Sequence, residues 1–280
     1  MARAVGPDWR GMVDLFDLSG EVAVVIGGGG VLAGAVAEGF AAAGAAVAIL
    51  DLRPEAGEAR ARQIREQGGR AQFFQADALD RGSLERARDA AEAAFGPATI
   101  LLNAAGGNDP KTTVTPENPF EAIPLENWRR NFDLNLVAGV LLPCQVWGPG
   151  MVARGRGSII NIASVSAHVP LSRVVSYSAA KAGVLNLSRF LAREWASRGV
   201  RVNTLTPGFF PAEQNRALLF HPDGSPTERT RQIWNHTPMG RFGEAHELVG
   251  AAIFLASHRA SSFVTGADLR VDGGFLAQTI

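Results

Sequence analysis

The chain has 280 residues, 46% of them hydrophobic, enough to bury a full core as one large α/β domain without a second core. Twenty-seven basic and twenty-seven acidic residues cancel, which removes the electrostatic case for nucleic acid or an anionic membrane as main partner and leaves room for a small anion. A lone cysteine, Cys144, excludes an internal disulfide framework and a multi-cysteine metal site; it fits a reducing cytoplasm and reads as apolar filler at the end of a helix.

Residues 1–17 read as an extension without a long apolar stretch or cleavage pattern, and no run of eighteen uncharged apolar residues reads as a membrane span. The expectation is a soluble, cytoplasmic protein. From residue 18 to 280, short β-branched or apolar runs alternate with amphipathic segments rich in Ala, Glu and Arg. Strands are expected at Val22–Ile26, Ala46–Leu50, Ala71–Gln75, Thr99–Asn103, Ser158–Ala163, Val200–Thr206 and Asp268–Val271, with helices between them. This alternation predicts an α/β fold: a single Rossmann-like, doubly wound parallel sheet of about seven strands with helices on both faces. Ligands of such sheets lie at the carboxyl ends of the strands.

At the first of those ends stands I-G-G-G-G-V-L-A-G, Ile26 to Gly34, running into a helix. Gly27, Gly29 and Gly30 would let the backbone approach a pyrophosphate, with the helix-start amides of Val31 and Leu32 turned toward its charge. A flexible turn without a ligand is an equal reading of the glycines alone. Asp51 closes the second strand about twenty residues on, where a carboxylate can accept from two ribose hydroxyls and would repel a 2′-phosphate. NAD is therefore favoured over NADP, with Arg53 able to soften the preference. Asp77 and Ala78 after the third strand, and Asn103, Ala104 and Ala105 after the fourth, complete a rim for adenine and ribose; singly, each is more often a turn residue.

Two later stretches are long and proline-rich, Gly107 to Asn127 and Phe209 to His236, and both follow strand ends, where a substrate would lie. Between them the fifth strand delivers Ser164, and thirteen residues later come Tyr177 and Lys181 in Y-S-A-A-K. A spacing of four puts the phenol and the ammonium on one helix face, where the cation can lower the pKa of the phenol and make it a general acid/base. Tyr177 is the only tyrosine of the chain. Toward a substrate carrying a carboxylate and several hydroxyls, the loops offer Asn108, Lys111, Arg173, Gln214, Asn215 and Arg216. A solvated loop position is an equal reading for Arg173, and residues 213–216 could instead cap a helix starting there. His168 and His236 are isolated and read as structural, so no catalytic metal is expected.

These motifs together resemble the short-chain dehydrogenase/reductase family from about Leu18 to Gly274: the glycine turn, N-A-A-G at Asn103 to Gly106, Asn135 in F-D-L-N-L, Ser164, Tyr177 with Lys181, P-G at Pro207 and Gly208, and V-D-G-G at Val271 to Gly274. The turn departs from the usual T-G-x-x-x-G-x-G, with Ile26, Val31 and Ala33 in place of Thr and two glycines. Within the family the chain is similar to the D-mannonate oxidoreductase, or fructuronate reductase, group in G-G-G-G-V-L, in A-G-G-N-x-P-K at Ala105 to Lys111, in Pro207 to Phe220, and in H-T-P-M-G-R-F-G at His236 to Gly243. The resemblance implies an NAD-dependent exchange of hydride on a sugar acid. It makes Tyr177 the proton donor or acceptor, Ser164 the partner of the reacting oxygen and Lys181 the holder of the nicotinamide ribose. Asn135 would anchor a water, and the backbone of Pro207, Gly208 and Phe209 would orient the carboxamide. It also implies a homotetramer, for which the apolar segment Phe263 to Ile280, with exposed-looking Phe275, Leu276 and Ile280, would supply a contact. Two alternatives stand beside this reading: a reductase of the same family for another sugar, polyol or ketoacid, and a nucleotide-binding sensor or interaction protein without turnover.

Overall fold

A computed structural model describes residues 15–212, 216 and 218–279. Its centre is a seven-stranded sheet in the order β3-β2-β1-β4-β5-β6-β7, parallel throughout. The strands are β1 (Val22–Ile26), β2 (Ala46–Asp51), β3 (Arg70–Gln75), β4 (Ile100–Asn103), β5 (Gly157–Ile162), β6 (Val200–Pro207) and β7 (Asp268–Val271). The predicted strands are all present, with ends displaced by a residue at most. Every residue of β1, β2, β4 and β6 is buried, the mark of a sheet covered on both faces.

One face is packed by α1 (Val31–Ala42) and α2 (Pro54–Glu66), with a later helix, α8 (Val249–Ala256), beside them; Val36, Phe40, Ile64, Ala252 and Leu255 fill this layer against Val25 and Ile49. The opposite face carries α3 (Arg81–Phe95), α5 (Leu142–Arg154) and α6 (Val175–Trp195), with Leu84, Trp147, Met151 and Val184 against Val24 and Leu101. Two positions per strand period thus feed two cores.

Four features differ from expectation. The stretch Leu125–Arg154 is one helix of 30 residues, apolar enough by length and composition to cross a membrane, but half of its apolar eighteen-residue window is buried inside the protein, as in a core helix. It comprises α4 (Leu125–Phe132), a wider π-helical section at Asp133–Leu141, and α5. Cys144 lies in the first turn of α5, not at a helix end, and burial pushes its thiol up to about 12, consistent with apolar filler. The stretch Phe209 to His236 is not one loop: Glu228–His236 forms helix α7, and Leu219, Ile233 and Phe242 make a small core of their own with Phe209, Phe220 and Trp234. Finally, Phe275 is buried against Phe209 and His236, with ring centroids 5.2 and 4.5 Å away, so ordinary packing claims it; Ile280 lies outside the described residues.

Candidate active site

The glycine turn is shaped by β2. Gly29 N donates to Asp51 Oδ2 at 3.0 Å, and a Cβ on Gly29 would stand 2.8 Å from that oxygen and 2.9 Å from Ala56 Cβ. Gly27 adopts φ +77° with Ala105 N only 3.0 Å from where a Cβ would sit, a conformation and an approach that an L side chain resists. α1 then starts at Val31 with no side-chain cap and no acidic residue in its first turn, leaving its leading amides without an intrahelical acceptor. Val31 is exposed, so its side chain turns outward and leaves the amide edge of the turn open. Asp51 is buried, and its Oδ1 accepts from Arg53 N (3.0 Å) and Arg53 Nε (3.2 Å), while most of the Arg53 side chain stays in solvent. These features fit a dinucleotide: a cradle that a Cβ would fill, free amides for a pyrophosphate, and a carboxylate at the next strand end.

Along the same rim, Asp77 accepts from Leu79 N at 2.9 Å and, with Ala78, is half-buried at the end of β3. Asn103 differs from expectation. Its Nδ2 donates to Asn161 Oδ1 (2.8 Å) and faces Cys144 Sγ (3.4 Å), so the side chain fastens β4 to β5 and only its backbone remains at the rim beside Ala104 and Ala105. Pro207 ends β6, followed by Gly208, whose amide bonds Val271 O at 3.0 Å, and by Phe209. Phe209 also lines a cavity of about 380 Å³ at the β7 edge, with Met239, Arg241, Glu247 and Gly273; Ser164 and Tyr177 do not line it.

The catalytic candidates converge at the end of β5. Ser164 follows that strand and caps a short 3₁₀ turn, Val165–Ala167, and its hydroxyl accepts from Ser166 Oγ at 3.0 Å. Tyr177 stands in the first turn of α6 with its phenol facing the Ser164 hydroxyl. Lys181, one turn on, is buried, donates from Nζ to Ile162 O at 2.8 Å and lies 5.7 Å from the centroid of the Tyr177 ring. Asn135 is fully buried in the π-helical section, where the wider turn aims its amide at the β4 exit: Oδ1 accepts from Gly107 N (2.9 Å) and Nδ2 donates to Gly107 O (2.8 Å). A methyl placed on Gly106 would lie 2.6 Å from Asn135 Oδ1 and 3.6 Å from Lys181 Nζ, so both heads face one point.

The electrostatics correct one expectation. The Tyr177 phenol is raised, not lowered: burial dominates although the residue keeps part of its surface open, and the Ser164 hydrogen bond pulls weakly the other way. Burial brings the Lys181 ammonium down to about 8. The protein thus holds a protonated phenol beside a cation that can give up its charge near neutrality.

Of the substrate candidates, Asn108 is exposed and donates to Thr113 Oγ1 at 2.7 Å, and Lys111 is exposed on a 3₁₀ turn, Pro110–Thr112. Arg216 is exposed with its guanidinium 5.7 Å over the Phe220 ring, and Gln214 and Asn215 lie outside the described residues. Arg173 is the one non-glycine with positive φ (+76°) among the described residues, and its carbonyl accepts from Val114 N at 2.8 Å. Sequence reading missed Arg229, in the first turn of α7. It is half-buried, meets no carboxylate within 4.0 Å among the described residues, and is held below the ordinary guanidinium range by burial and then by the charge of Arg173. Nothing in its local sequence marks it, because its meaning comes from Arg173, 56 positions earlier. His168 Nε2 lies 3.0 Å from Asp268 Oδ2 without hydrogen-bond alignment, and no group of three His, Cys, Asp or Glu stands together among the described residues.

Comparison with known proteins adds a family. Residues 30–276 match the model of a family described as enoyl-(acyl carrier protein) reductase. A solved structure from Haemophilus influenzae, provisionally named a D-mannonate oxidoreductase and holding NAD, superposes with a TM-score of 0.88 at 38% identity, covering 94% of this chain and 97% of that one. A gluconate 5-dehydrogenase from Burkholderia cenocepacia, in complex with NADP and tartrate, gives a TM-score of 0.85 at 36% identity over 96% of this chain and 100% of its own. The D-threitol dehydrogenase of Mycolicibacterium smegmatis is 38% identical over 260 residues, 93% of this chain and 94% of that protein.

Proposed function

Because the chain belongs to the short-chain dehydrogenase/reductase family and is an NAD(P)-dependent oxidoreductase of alcohol groups, we propose that it interconverts a secondary alcohol and a ketone on a sugar acid, with D-mannonate and D-fructuronate as the specific pair. The observation that carries the chemistry is the buried Lys181 ammonium beside a phenol that faces Ser164. The preference for an acid rests on Arg173 and Arg229: the charge of the exposed Arg173 depresses the half-buried Arg229, and among the described residues neither meets a carboxylate within 4.0 Å. An anion seated between them would relieve that repulsion.

NAD fits the turn at Gly27, Gly29, Gly30, Val31 and Leu32, with Asp51 on the adenosine ribose and Asp77, Ala78, Asn103, Ala104 and Ala105 around the adenine. When bound it supplies the acceptor or donor of hydride. Lys181 would hold the nicotinamide ribose, and the backbone of Pro207, Gly208 and Phe209 would orient the carboxamide. Tyr177, kept protonated by burial, would give its proton to the carbonyl oxygen in reduction and take it from the hydroxyl in oxidation. Ser164, whose oxygen already accepts from Ser166, would keep its own hydrogen for the reacting oxygen. Asn135 would anchor a water between Lys181 and solvent, since its Oδ1 and Lys181 Nζ face the same point. Asn108, Lys111, Gln214, Asn215 and Arg216 would meet the substrate hydroxyls. A homotetramer is the assembly we favour, supported by β7 standing at the edge of the sheet, unpaired on its outer side among the described residues, and by the fully exposed Phe263.

The test is stereospecific NADH formation across a panel of aldonates and neutral polyols, D-mannonate included, with NADP in parallel. Turnover confined to neutral polyols would overturn the sugar-acid assignment, and faster turnover with NADP would overturn the cofactor preference.

A further inference from the structure

The loop that follows β4 is not free. A chain of buried polar groups runs from it to Asn135. Thr112 and Ser176 are both fully buried, and their hydroxyl oxygens lie 2.8 Å apart; Ser176 Oγ lies 2.8 Å from Asn131 Oδ1; Asn131 Nδ2 donates to Gly107 O at 3.0 Å; and Asn135 clasps Gly107 at both its amide and its carbonyl.

The direction of this chain follows from what each group can do. A carbonyl only accepts, so the Asn131 and Asn135 nitrogens must face Gly107 O, and Asn131 Oδ1 is left facing Ser176. An amide oxygen cannot donate, so the single hydroxyl hydrogen of Ser176 goes to Asn131. Ser176 can then accept only from Thr112, whose single hydrogen also faces Asp109 O at 3.1 Å. The polarity is set as far as Gly107 O, where the Asn131 and Asn135 nitrogens converge. A second tie, Val114 N to Arg173 O at 2.8 Å, binds the same loop to the segment that enters α6, and Asn118 Nδ2 closes the loop on Thr113 O at 2.9 Å.

We propose that Thr112 and Ser176 are positioning residues that lock the 107–118 loop in register with α6 one residue before Tyr177, so that recognition of the substrate's distal end is set by hydrogen bonds that meet those of Asn135 at Gly107, while Asn135 itself stays held by its own bonds to Gly107 and Asn131 O. The proposal rests on the sugar-acid reading for its substrate, though the lock itself does not. Neither residue touches the reacting atoms: Ser176 faces Asn131 while its neighbour Tyr177 faces Ser164. The lock gives the exposed Asn108 and Lys111 a fixed base.

The test compares Thr112→Val, which keeps the shape and removes the hydroxyl, with Thr112→Ser, which keeps the hydroxyl, and with Ser176→Ala. For Thr112→Val we expect KM for the sugar acid to rise about tenfold, with kcat and KM for a neutral polyol within twofold and NADH affinity unchanged. Thr112→Ser should restore the wild-type acid-over-polyol ratio, and adding Ser176→Ala to Thr112→Val should bring little further loss, because both cut one chain. Equal effects on acid and polyol, or a Thr112→Ser variant as impaired as Thr112→Val, would overturn the proposal. Amide exchange of residues 112–118 in the full-length protein needs no substrate: it should accelerate in Thr112→Val and Ser176→Ala and not in Thr112→Ser. Unchanged exchange overturns the lock. A wild-type protein without acid preference would instead overturn the sugar-acid reading and leave the exchange result to decide the lock.

Discussion

The proposed cofactor wall and the proposed substrate wall of this sheet are built on different scales. At the cofactor wall the decisive bond, Gly29 N to Asp51 Oδ2, joins residues 22 apart, and the parts come from consecutive strand ends. At the substrate wall the decisive bonds join Thr112 to Ser176, 64 apart, and Ser176 to Asn131, 45 apart. The first wall is held by backbone in close approach, where nothing larger than glycine fits. The second is held by side chains on loops, and its tolerance for change is set by polar satisfaction. One consequence is that the cofactor wall can be common to many relatives while the substrate wall differs among them; the relatives reported above include both an NAD and an NADP complex on similar folds.

Between the walls stand Ser164, Tyr177 and Lys181, and their loss should cost most. Tyr177→Phe removes the exchangeable proton with little change in volume. Turnover should fall by about 10³-fold while NADH affinity holds within a few-fold. Single-turnover kinetics with fluorescence titration of the cofactor checks both, and unchanged turnover would discard the role of the phenol. On the cofactor wall, Gly29→Val would drive its Cβ into Asp51 Oδ2 and Ala56, backbone included. We expect cofactor affinity to fall by about 100-fold, roughly 2.7 kcal/mol, with acid-over-polyol selectivity intact. A variant that binds NADH normally would show that the turn is not the cradle. On the substrate wall the pattern should invert. Arg229→Ala should raise KM for an aldonate about tenfold, roughly 1.4 kcal/mol, and leave cofactor affinity untouched. Neutral polyols should be unaffected, and an equal rise for them would mean that Arg229 supports the fold and not the anion.

The difference in scale also explains what could be read in advance. Strand ends, Asp51, the glycine turn, Ser164 and the Tyr177–Lys181 spacing are local patterns, and the seven strands fell within a residue of expectation because alternating apolar runs define them. Asn103 ends β4 as the alternation predicts, but its side chain points inward, since a strand's last residue can face either layer and only the neighbouring Asn161 and Cys144 decide which. Arg229 and the Thr112–Ser176 contact carry no local signal at all. The helix at Glu228–His236 was hidden in a proline-rich stretch because its apolar face serves a separate small core around Phe242, not the sheet. The direction of the phenol's shift is not legible in the sequence, because spacing reveals a neighbouring charge and not the burial that outweighs it.

That burial has its own thermodynamic signature, on Lys181. Its ammonium falls from an ordinary 10.5 to about 8 in the folded chain, so between those values the unfolded chain holds a proton that the folded chain has released. Stability must then rise with pH across that window, because whichever state binds more protons loses ground as protons become scarce. From pH 8 to 9 the gain from this group should be about 1 kcal/mol. The Tyr177 phenol works in the opposite sense only higher, above its ordinary 10.0, where the unfolded chain would ionise first. Lys181→Met keeps the buried stem and removes the titration. The unfolding free energy of wild type minus that of Lys181→Met, measured in denaturant at pH 7, 8 and 9, should therefore become more positive with pH, by that amount between pH 8 and 9. Parallel curves for the two proteins would mean that Lys181 keeps its full charge in the fold, held by Ile162 O, and that its role beside Tyr177 is that of a fixed cation.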